Sequence, residues 1–363
     1  MVVFHTVAAH AFRPRRAELQ FSNVYIESLA HVLPERVVTS LELEDRLAPA
    51  YARLGFHPGR IELMTGIAQR RHFAPGTRPS AIAIQAAEKA LSESSVGRQD
   101  IGLLIFSSVC RDFMEPATAS VVHAGLKLPA TCACFDLSNA CLGFANAMLV
   151  AASALELGQV EAALVVAGED GGPLVEATIK RLNEDAAINR KNSKLSFASL
   201  TIGSGAAAMV MTRHGSHRLI GGVMLTDSSA NHLCQGGMTQ GVPGADLGPL
   251  MQTDSEALMH AGVALAQRVW AQMREQLGWG NDSVQRVFTH QVGVMHRKLL
   301  FEKLELDPSR DYPTVETLGN MGSVSLPISL DMGVRDGAVN AGDNLALLGI
   351  GSGLVCLNLG VAW

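Results

Sequence analysis

The stretch Phe135-Asp136-Leu137-Ser138-Asn139-Ala140-Cys141-Leu142-Gly143-Phe144 passes from a β-like apolar run into a long helical one. Strand followed by buried helix is the unit from which layered α/β folds are assembled. Cys141 stands at the junction, against the positive end of the helix dipole, a field that favours thiolate over thiol. The thiolate is the nucleophilic form, so Cys141 is a candidate nucleophile; the alternative for a cysteine taken alone is a buried, inert side chain. From Leu137 to Leu155 the chain carries no charge and approaches the roughly 20 apolar residues of a bilayer span. Asp136 and Glu156 close that run and Ser138, Asn139, Asn146 and Ser153 interrupt it, so it reads as a helix buried in a core.

Working outward, short apolar runs alternate with helical ones. Ile101–Val109, Ala162–Gly168 and Ala206–Thr212 read as strands in the first half, and Arg286–Gln291, Asn344–Gly349 and Leu354–Gly360 in the second. Pro79–Ser92, Asn139–Leu157 and Asp254–Leu277 read as helices between them. That alternation implies an α/β fold. The halves also keep a register: Phe106 and Phe288 lie 288 − 106 = 182 apart in similar strands, and Ala163 and Ala346 lie 346 − 163 = 183 apart. Cys141 opens one helical run and Gly319-Asn320-Met321-Gly322-Ser323 opens its counterpart. An offset this long points to one internal duplication rather than to a solenoid. Residues 1–20, with Arg13, Arg15 and Arg16, read as an N-terminal extension, 21–215 as the first half and 216–363 as the second. A charged stretch inside about 172–200, densest at Thr178–Asn192, reads as a solvated cap.

The 363 residues are 48% hydrophobic and 17% charged, enough for a large core, and the net charge of −5 comes without a basic stripe, which argues against nucleic acid as a partner. The six cysteines, Cys110, Cys132, Cys134, Cys141, Cys234 and Cys356, form no C-x-x-C pair, and no signal-peptide pattern opens the chain. The expectation is a reduced, cytoplasmic protein with free thiols and no membrane span.

Three further features bear on chemistry. His290 ends the strand-like run Arg286-Val287-Phe288-Thr289-His290 and is followed by Gln291 and Val292. Asn320 precedes an apolar helix, and Leu348-Gly349-Ile350-Gly351-Ser352-Gly353-Leu354 puts alternate glycines between two strands. Each has an ordinary reading: a structural histidine, a helix N-cap, a tight turn. The glycines are not a dinucleotide loop, because a strand follows where a helix is needed. His290 and His296 are not spaced as a zinc pair, and neither a metal nor a cofactor is expected. Glu169-Asp170 resembles an acid pair, but adjacent carboxylates after a strand point in different directions. Taken together the features suit acyl transfer: Cys141 as acyl acceptor, His290 as its base or hydrogen-bond partner, and the backbone N–H groups of Cys141 and Gly353 as an oxyanion hole. His290 and the Asn320 amide can also donate to the oxygen of an enolate.

In that order, the Cys141, His290 and Asn320 segments resemble the Cys-His-Asn triad of the ketoacyl-ACP synthase III branch of the thiolase superfamily. Thr65-Gly66-Ile67 followed by Arg70, the Gly-Ser-Gly-Ala-Ala-Ala-Met-Val-Met run from Gly203, and the glycine hairpin also fit, over about residues 21–363. The resemblance implies a duplicated five-layered α-β-α-β-α thiolase fold and a homodimer. Arg111-Asp112-Phe113-Met114-Glu115-Pro116-Ala117-Thr118-Ala119-Ser120 is similar to the segment in OleA-type acyl-CoA condensing enzymes of bacterial olefin synthesis. There the matching glutamate acts as base in the partner subunit's site, which makes Glu115 a candidate. A carboxylate shielded from water has a raised pKa and is a stronger base. The residues alone allow two other readings of Glu115, a surface glutamate or a helix first turn. Two departures from relatives stand out: thiolases carry a second cysteine where this chain has Gly349, and chain-initiating synthases carry a tryptophan where it has Arg60.

The expected activity is non-decarboxylative Claisen condensation of two fatty acyl-CoA molecules to a 2-alkyl-3-keto acid through acyl-Cys141. Decarboxylative extension with malonyl-ACP, acyl transfer to an alcohol or amine, and a catalytically inactive scaffold are the alternatives. Acyl-ACP in place of acyl-CoA stays open.

Overall fold

Ala162–Glu169 reads Ala-Ala-Leu-Val-Val-Ala-Gly-Glu and is buried at every position, as is Gly205–Thr212. A run without a polar face belongs in a sheet covered on both sides. The computed structural model describes residues 18–237 and 250–363, and both runs lie inside its ten-stranded main sheet. The strands are β1 (Glu18–Gln20), β2 (Tyr25–Val32), β3 (Ile101–Phe106), β4 (Ala133–Asp136), β5 (Ala162–Glu169), β6 (Gly205–Thr212), β7 (His217–Thr226), β8 (Arg286–Thr289), β9 (Asn344–Gly351) and β10 (Val355–Ala362). Their order is β8-β9-β10-β7-β2-β6-β5-β3-β4, with β1 paired to β7.

That order is one motif written twice. β3 runs parallel to β5, and β5, β6 and β2 follow antiparallel. In the second half β8 runs parallel to β9, and β9, β10 and β7 follow antiparallel. Within the sheet the two halves pair at Tyr25–Arg218 and Ile26–His217. The duplication therefore holds, but the offset is not constant. Phe106 pairs with Val166 and Phe288 with Leu347, so the second landmark falls at 347 − 166 = 181. The slip from the 183 read between Ala163 and Ala346 is two residues, which keeps every side chain on its face.

Six helices cover the sheet: α1 (Pro79–Ser92), α2 (Thr118–Leu126), α3 (Gly143–Glu156), α4 (Ser255–Leu277), α5 (Val294–Leu304) and α6 (Ser325–Arg335). Three apolar clusters sort them into layers. One packs α1 and α2 against Leu104, Phe106, Leu164 and Val166 of the first half-sheet. A second packs α4 and α5 against Val287, Ala346 and Leu348 of the second half-sheet. The largest lies between the half-sheets and holds α3 and α6 against Ile105 and Val165 on one side and Leu347 and Leu359 on the other. The sequence of layers is thus α-β-α-β-α. Helix α3 occupies the middle, which is why its sequence carries no charge before Glu156.

Several boundaries differ from the sequence reading. β3 stops at Phe106 and β8 at Thr289, and α3 starts at Gly143, so Cys141 and His290 both lie in loops just beyond regular structure. Within the expected extension, residues 1–17 lie outside the described residues, whereas Glu18–Gln20 form an edge strand on β7. The charged cap is amphipathic: the helix Gly172–Glu184 buries Val175, Ile179 and Leu182 against Leu47, Ala50 and Leu54. Among the described residues no helix is long and apolar enough to cross a membrane.

Close approach of α1 to β5 depends on Gly168, where a methyl group would lie 2.3 Å from the Pro79 carbonyl oxygen. Gly168→Ala should cost about 1–3 kcal/mol in urea unfolding, since backbone has to move; an unchanged midpoint would show that the layer spacing is not fixed there.

Candidate active site

Cys141 lies in the loop between β4 and α3. Ala140 before it takes a left-handed backbone, φ +47°, a conformation that costs an L-residue roughly 1–2 kcal/mol. The turn closes through Leu142 N–H to the Asn139 carbonyl at 3.0 Å and Gly143 N–H to the Ala140 carbonyl at 3.1 Å. Asn139 is fixed in turn by donating to Asn146 at 2.7 Å.

The glycine hairpin packs on this loop. A methyl group at Gly349 would lie 2.5 Å from Leu142 Cδ2, and one at Gly351 would lie 3.3 Å from the Leu142 nitrogen and 3.4 Å from the Asn139 oxygen. Glycines are needed here for approach rather than for a turn. Gly353, at the tip between β9 and β10, has φ +106°.

His290 follows β8, and its N–H donates to the Leu348 carbonyl at 2.9 Å. It therefore neighbours the same hairpin that touches the Cys141 loop. Gln291 carries the contact onward: its carboxamide accepts from Thr314 N–H at 2.8 Å and Val315 N–H at 2.9 Å and donates to the Tyr312 carbonyl at 2.9 Å. That anchors the segment leading to Asn320. Asn320 is buried, and its Oδ1 accepts from Gly322 N–H at 3.0 Å, with no partner for Nδ2 among the described residues. This side chain is not the cap of α6, which begins five residues later.

Glu169 closes the circuit. Its carboxylate accepts from Val109 N–H at 2.9 Å, Cys110 N–H at 3.0 Å and the Ser323 hydroxyl at 2.5 Å. The start of α3 meets the start of α6 there, with a methyl on Gly143 only 3.5 Å from Ser323 Cβ and 2.8 Å from the Ser107 oxygen. Asp170 faces elsewhere, toward Gly172 N–H and Ser204. The two acids do point apart, and each is structural in its contacts. Glu169 and Gln291 are the tying residues that sequence reasoning did not assign; a carboxylate ending an all-apolar strand is the signal that marked the first.

The Thr65-Gly66-Ile67 and Arg70 motif supports the same region. Gly66 lies against Val294, with a methyl there 2.3 Å from Cγ2, and Gly319 lies against Arg70 Cβ. Arg70 is fully buried and donates to Ser40 Oγ at 3.0 Å, and burial lowers its pKa to about 10. Arg60, in the place of a tryptophan, lies 4.4 Å over the ring of Phe56.

The electrostatics correct one expectation. Burial pushes the Cys141 thiol up to about 12, with Cys234 and Glu169 adding to the rise, so it is not held as a thiolate by the helix dipole. Burial lowers His290 to about 3, helped by His296, which burial itself lowers to about 4. The resting pair is therefore a thiol and a neutral imidazole. Desolvation outweighs a dipole field that falls off within one turn.

Glu115 stands apart from this ring. It is exposed, on a loop rooted by Glu169 at Val109–Cys110, by Asp112 bonding to Ser80 at 2.9 Å, and by Asp136 accepting from Thr118 N–H at 2.9 Å and Ala119 N–H at 2.7 Å. It precedes α2 and is neither in its first turn nor shielded within the single chain.

Residues 135–228 match the 3-oxoacyl-[acyl-carrier-protein (ACP)] synthase III family model and residues 274–363 match its C-terminal counterpart. An acyl-CoA:acyl-CoA alkyltransferase of Shewanella oneidensis is 39% identical over 353 residues, covering 95% of this chain and 100% of that protein. One of Xanthomonas campestris is 37% identical over 347 residues, covering 94% and 99%. Among solved structures, cerulenin-bound OleA of Xanthomonas campestris superposes with a TM-score of 0.89 at 37% identity, covering 97% of this chain and 100% of that one. A cysteine-to-serine variant of that OleA with bound lauric acid and lauroyl-CoA gives 0.88 at 37% identity, covering 94% and 100%.

The resting thiol is testable. Alkylation of Cys141 by iodoacetamide, read by peptide mass, should quicken about tenfold per unit between about pH 6 and pH 9 without levelling. A plateau below about pH 8 would mean a thiolate already held at rest.

Proposed function

The chain belongs to the 3-oxoacyl-ACP synthase III family, among the acyl-CoA:acyl-CoA alkyltransferases, and we propose that it joins two fatty acyl-CoA molecules by non-decarboxylative Claisen condensation. What supports this reading is that the glycine hairpin packs on the Cys141 loop and bonds to the His290 backbone, in a chain that aligns with named alkyltransferases along nearly its whole length.

Acylation comes first. Cys141 sulfur attacks the thioester carbonyl while its proton passes to neutral His290; the acyl–sulfur bond to CoA breaks, and the departing CoA thiolate takes that proton. Because the thiol lies near 12 and the imidazole near 3, proton transfer has to accompany bond formation rather than precede it. The backbone N–H groups of Cys141 and Gly353 hold the tetrahedral oxyanion; losing one such donor typically costs about 2.7–4 kcal/mol.

Condensation follows. An ordinary acyl-CoA has no carboxylate to lose, so a base has to remove an α-proton. Glu115 of the partner subunit is that base, and it becomes desolvated only when the dimer forms around it. His290 and Asn320 Nδ2 donate to the enolate oxygen. The α-carbon then bonds to the acyl carbonyl, the Cys141 thioester bond breaks, and the thiolate takes back the proton that Glu115 removed from the α-carbon. Hydrolysis of the remaining CoA thioester gives the 2-alkyl-3-keto acid. The exposed position of Glu115 supports this role. So does the neighbouring sheet edge, where β4 ends the strand order with no outer neighbour among the described residues, Phe135 is exposed, and Phe113 and Met114 are exposed in the loop before α2. A second copy of the chain covers that edge in the homodimer, and the enzyme works in the cytoplasm.

Incubation with a long-chain acyl-CoA alone, followed by intact mass and free CoA, should give a Cys141 adduct and then a condensed product. Glu115→Ala should leave the adduct in place and slow condensation by about 10²–10⁴-fold. Strict dependence on a malonyl thioester with release of carbon dioxide would replace this reading with the decarboxylative one.

A further inference from the structure

Asn146 interrupts a helix that carries no charge before Glu156, and no step of the condensation uses it. It is 8% exposed and sits between Ala145 and Ala147, both in the apolar cluster between the half-sheets. An amide sunk in such a layer costs free energy unless its hydrogen bonds are made. Three contacts account for it. Its Oδ1 accepts from Asn139 Nδ2 at 2.7 Å, its Nδ2 donates to Met224 Sδ at 3.4 Å, and its backbone N–H donates to the Leu142 carbonyl at 2.9 Å. Asn139 and Leu142 flank Ala140 and Cys141, so one residue grips the nucleophile loop on both sides of the sulfur. The side-chain grip has a fixed polarity. A thioether sulfur has no hydrogen to give, so Nδ2 belongs on the Met224 side and Oδ1 on the Asn139 side. Met224 lies on β7, in the second half of the duplicated fold, so the loop of the first half is oriented from the second.

Between the gripped residues Ala140 holds φ +47°, a backbone that an alanine leaves when its surroundings stop holding it. A change at Ala140 turns the peptide that joins it to Cys141, and the hydrogen of that peptide is the Cys141 N–H. We infer that Asn146 is a positioning residue for this N–H: by holding Asn139 it keeps Ala140 left-handed and the N–H aimed at the oxyanion. The inference rests on the proposed acylation, in which the Cys141 N–H is an oxyanion donor beside that of Gly353.

Two reactions of the same thiol separate aim from fold. Acylation by a long-chain acyl-CoA, read in single turnovers as the first release of CoA, passes through an oxyanion. Alkylation by iodoacetamide displaces iodide and forms none. The ratio of the two rates therefore reads the oxyanion donors, while a change in thiol basicity or access moves both. Asn146→Leu keeps the backbone N–H and the bulk but loses the amide, and the ratio should fall about 10–10²-fold. Asn146→Asp keeps an oxygen for Asn139 in the same place, and the ratio should stay within about threefold of wild type. Asn139→Leu, at a half-buried position, removes the same bond from its other end and should lower the ratio as Asn146→Leu does, which keeps the test open if that variant does not fold. An unchanged ratio in the leucine variants, or a loss in Asn146→Asp equal to theirs, would overturn the inference. The carbonyl stretch of a ¹³C-labelled acyl group on Cys141 gives a second reading. It should lie lower in the folded wild type than in the urea-unfolded protein, and Asn146→Leu should remove most of that difference; the same stretch in both folded proteins would also sink the idea. If the wild type gains no acyl group on Cys141, the proposed function itself fails; a wild type that acylates with an unchanged ratio in the variants defeats only the role of Asn146.

Discussion

Glu169 ends β5 with its carboxylate buried, and Oε1 accepts from both Val109 and Ser323 while Oε2 accepts from Cys110. Val109 and Cys110 come from the loop after β3, and Ser323 comes from the approach to α6, 154 residues away. Burial raises its pKa while the Ser323 hydroxyl and the two backbone N–H groups pull it back. A buried carboxylate is tolerated only with such partners, and moving any one of them leaves charge unsatisfied. The first half of the duplicated fold is thereby locked to the second at the point where α3 and α6 begin. Gln291 and the glycines at 349 and 351 complete the circuit, so the three loops bearing Cys141, His290 and Asn320 have little freedom to separate.

With the loops so held, desolvation sets the chemistry. The same burial that shuts water out raises the thiol and lowers the imidazole, so the unloaded site rests uncharged. In the proposed chemistry, charge appears only while a thioester is being attacked or an enolate formed, and the donors assigned at Cys141, Gly353, His290 and Asn320 would act on it then. Preorganised dipoles in a dry site act most strongly on charge that develops in the transition state. The acid that the proposed chemistry needs in addition, Glu115, is exposed on the single chain.

The layers were legible in the sequence because burial on both faces writes itself into composition: Ala162–Gly168 and Ala206–Thr212 have nothing else to be. The duplication was legible for the same reason, to within a two-residue slip that periodicity cannot see. Cys141, His290 and Asn320 stood out because each follows or precedes a strong periodic element. Gln291 did not, and Glu169 showed only as a carboxylate ending an apolar strand, because their partners lie 21 to 154 residues away. The thiolate expected at Cys141 failed for a related reason. The helix that supplies the dipole is visible in sequence, whereas the depth of burial that opposes it is a tertiary quantity.

The most direct test of the convergence is a crystal structure of the chain acylated on Cys141 from a long-chain acyl-CoA. The thioester oxygen should lie about 2.7–3.1 Å from the backbone nitrogens of Cys141 and Gly353, with His290 Nε2 and Asn320 Nδ2 facing the second-substrate side. An acyl group carried on another cysteine, or an oxygen turned away from both nitrogens, would contradict the account.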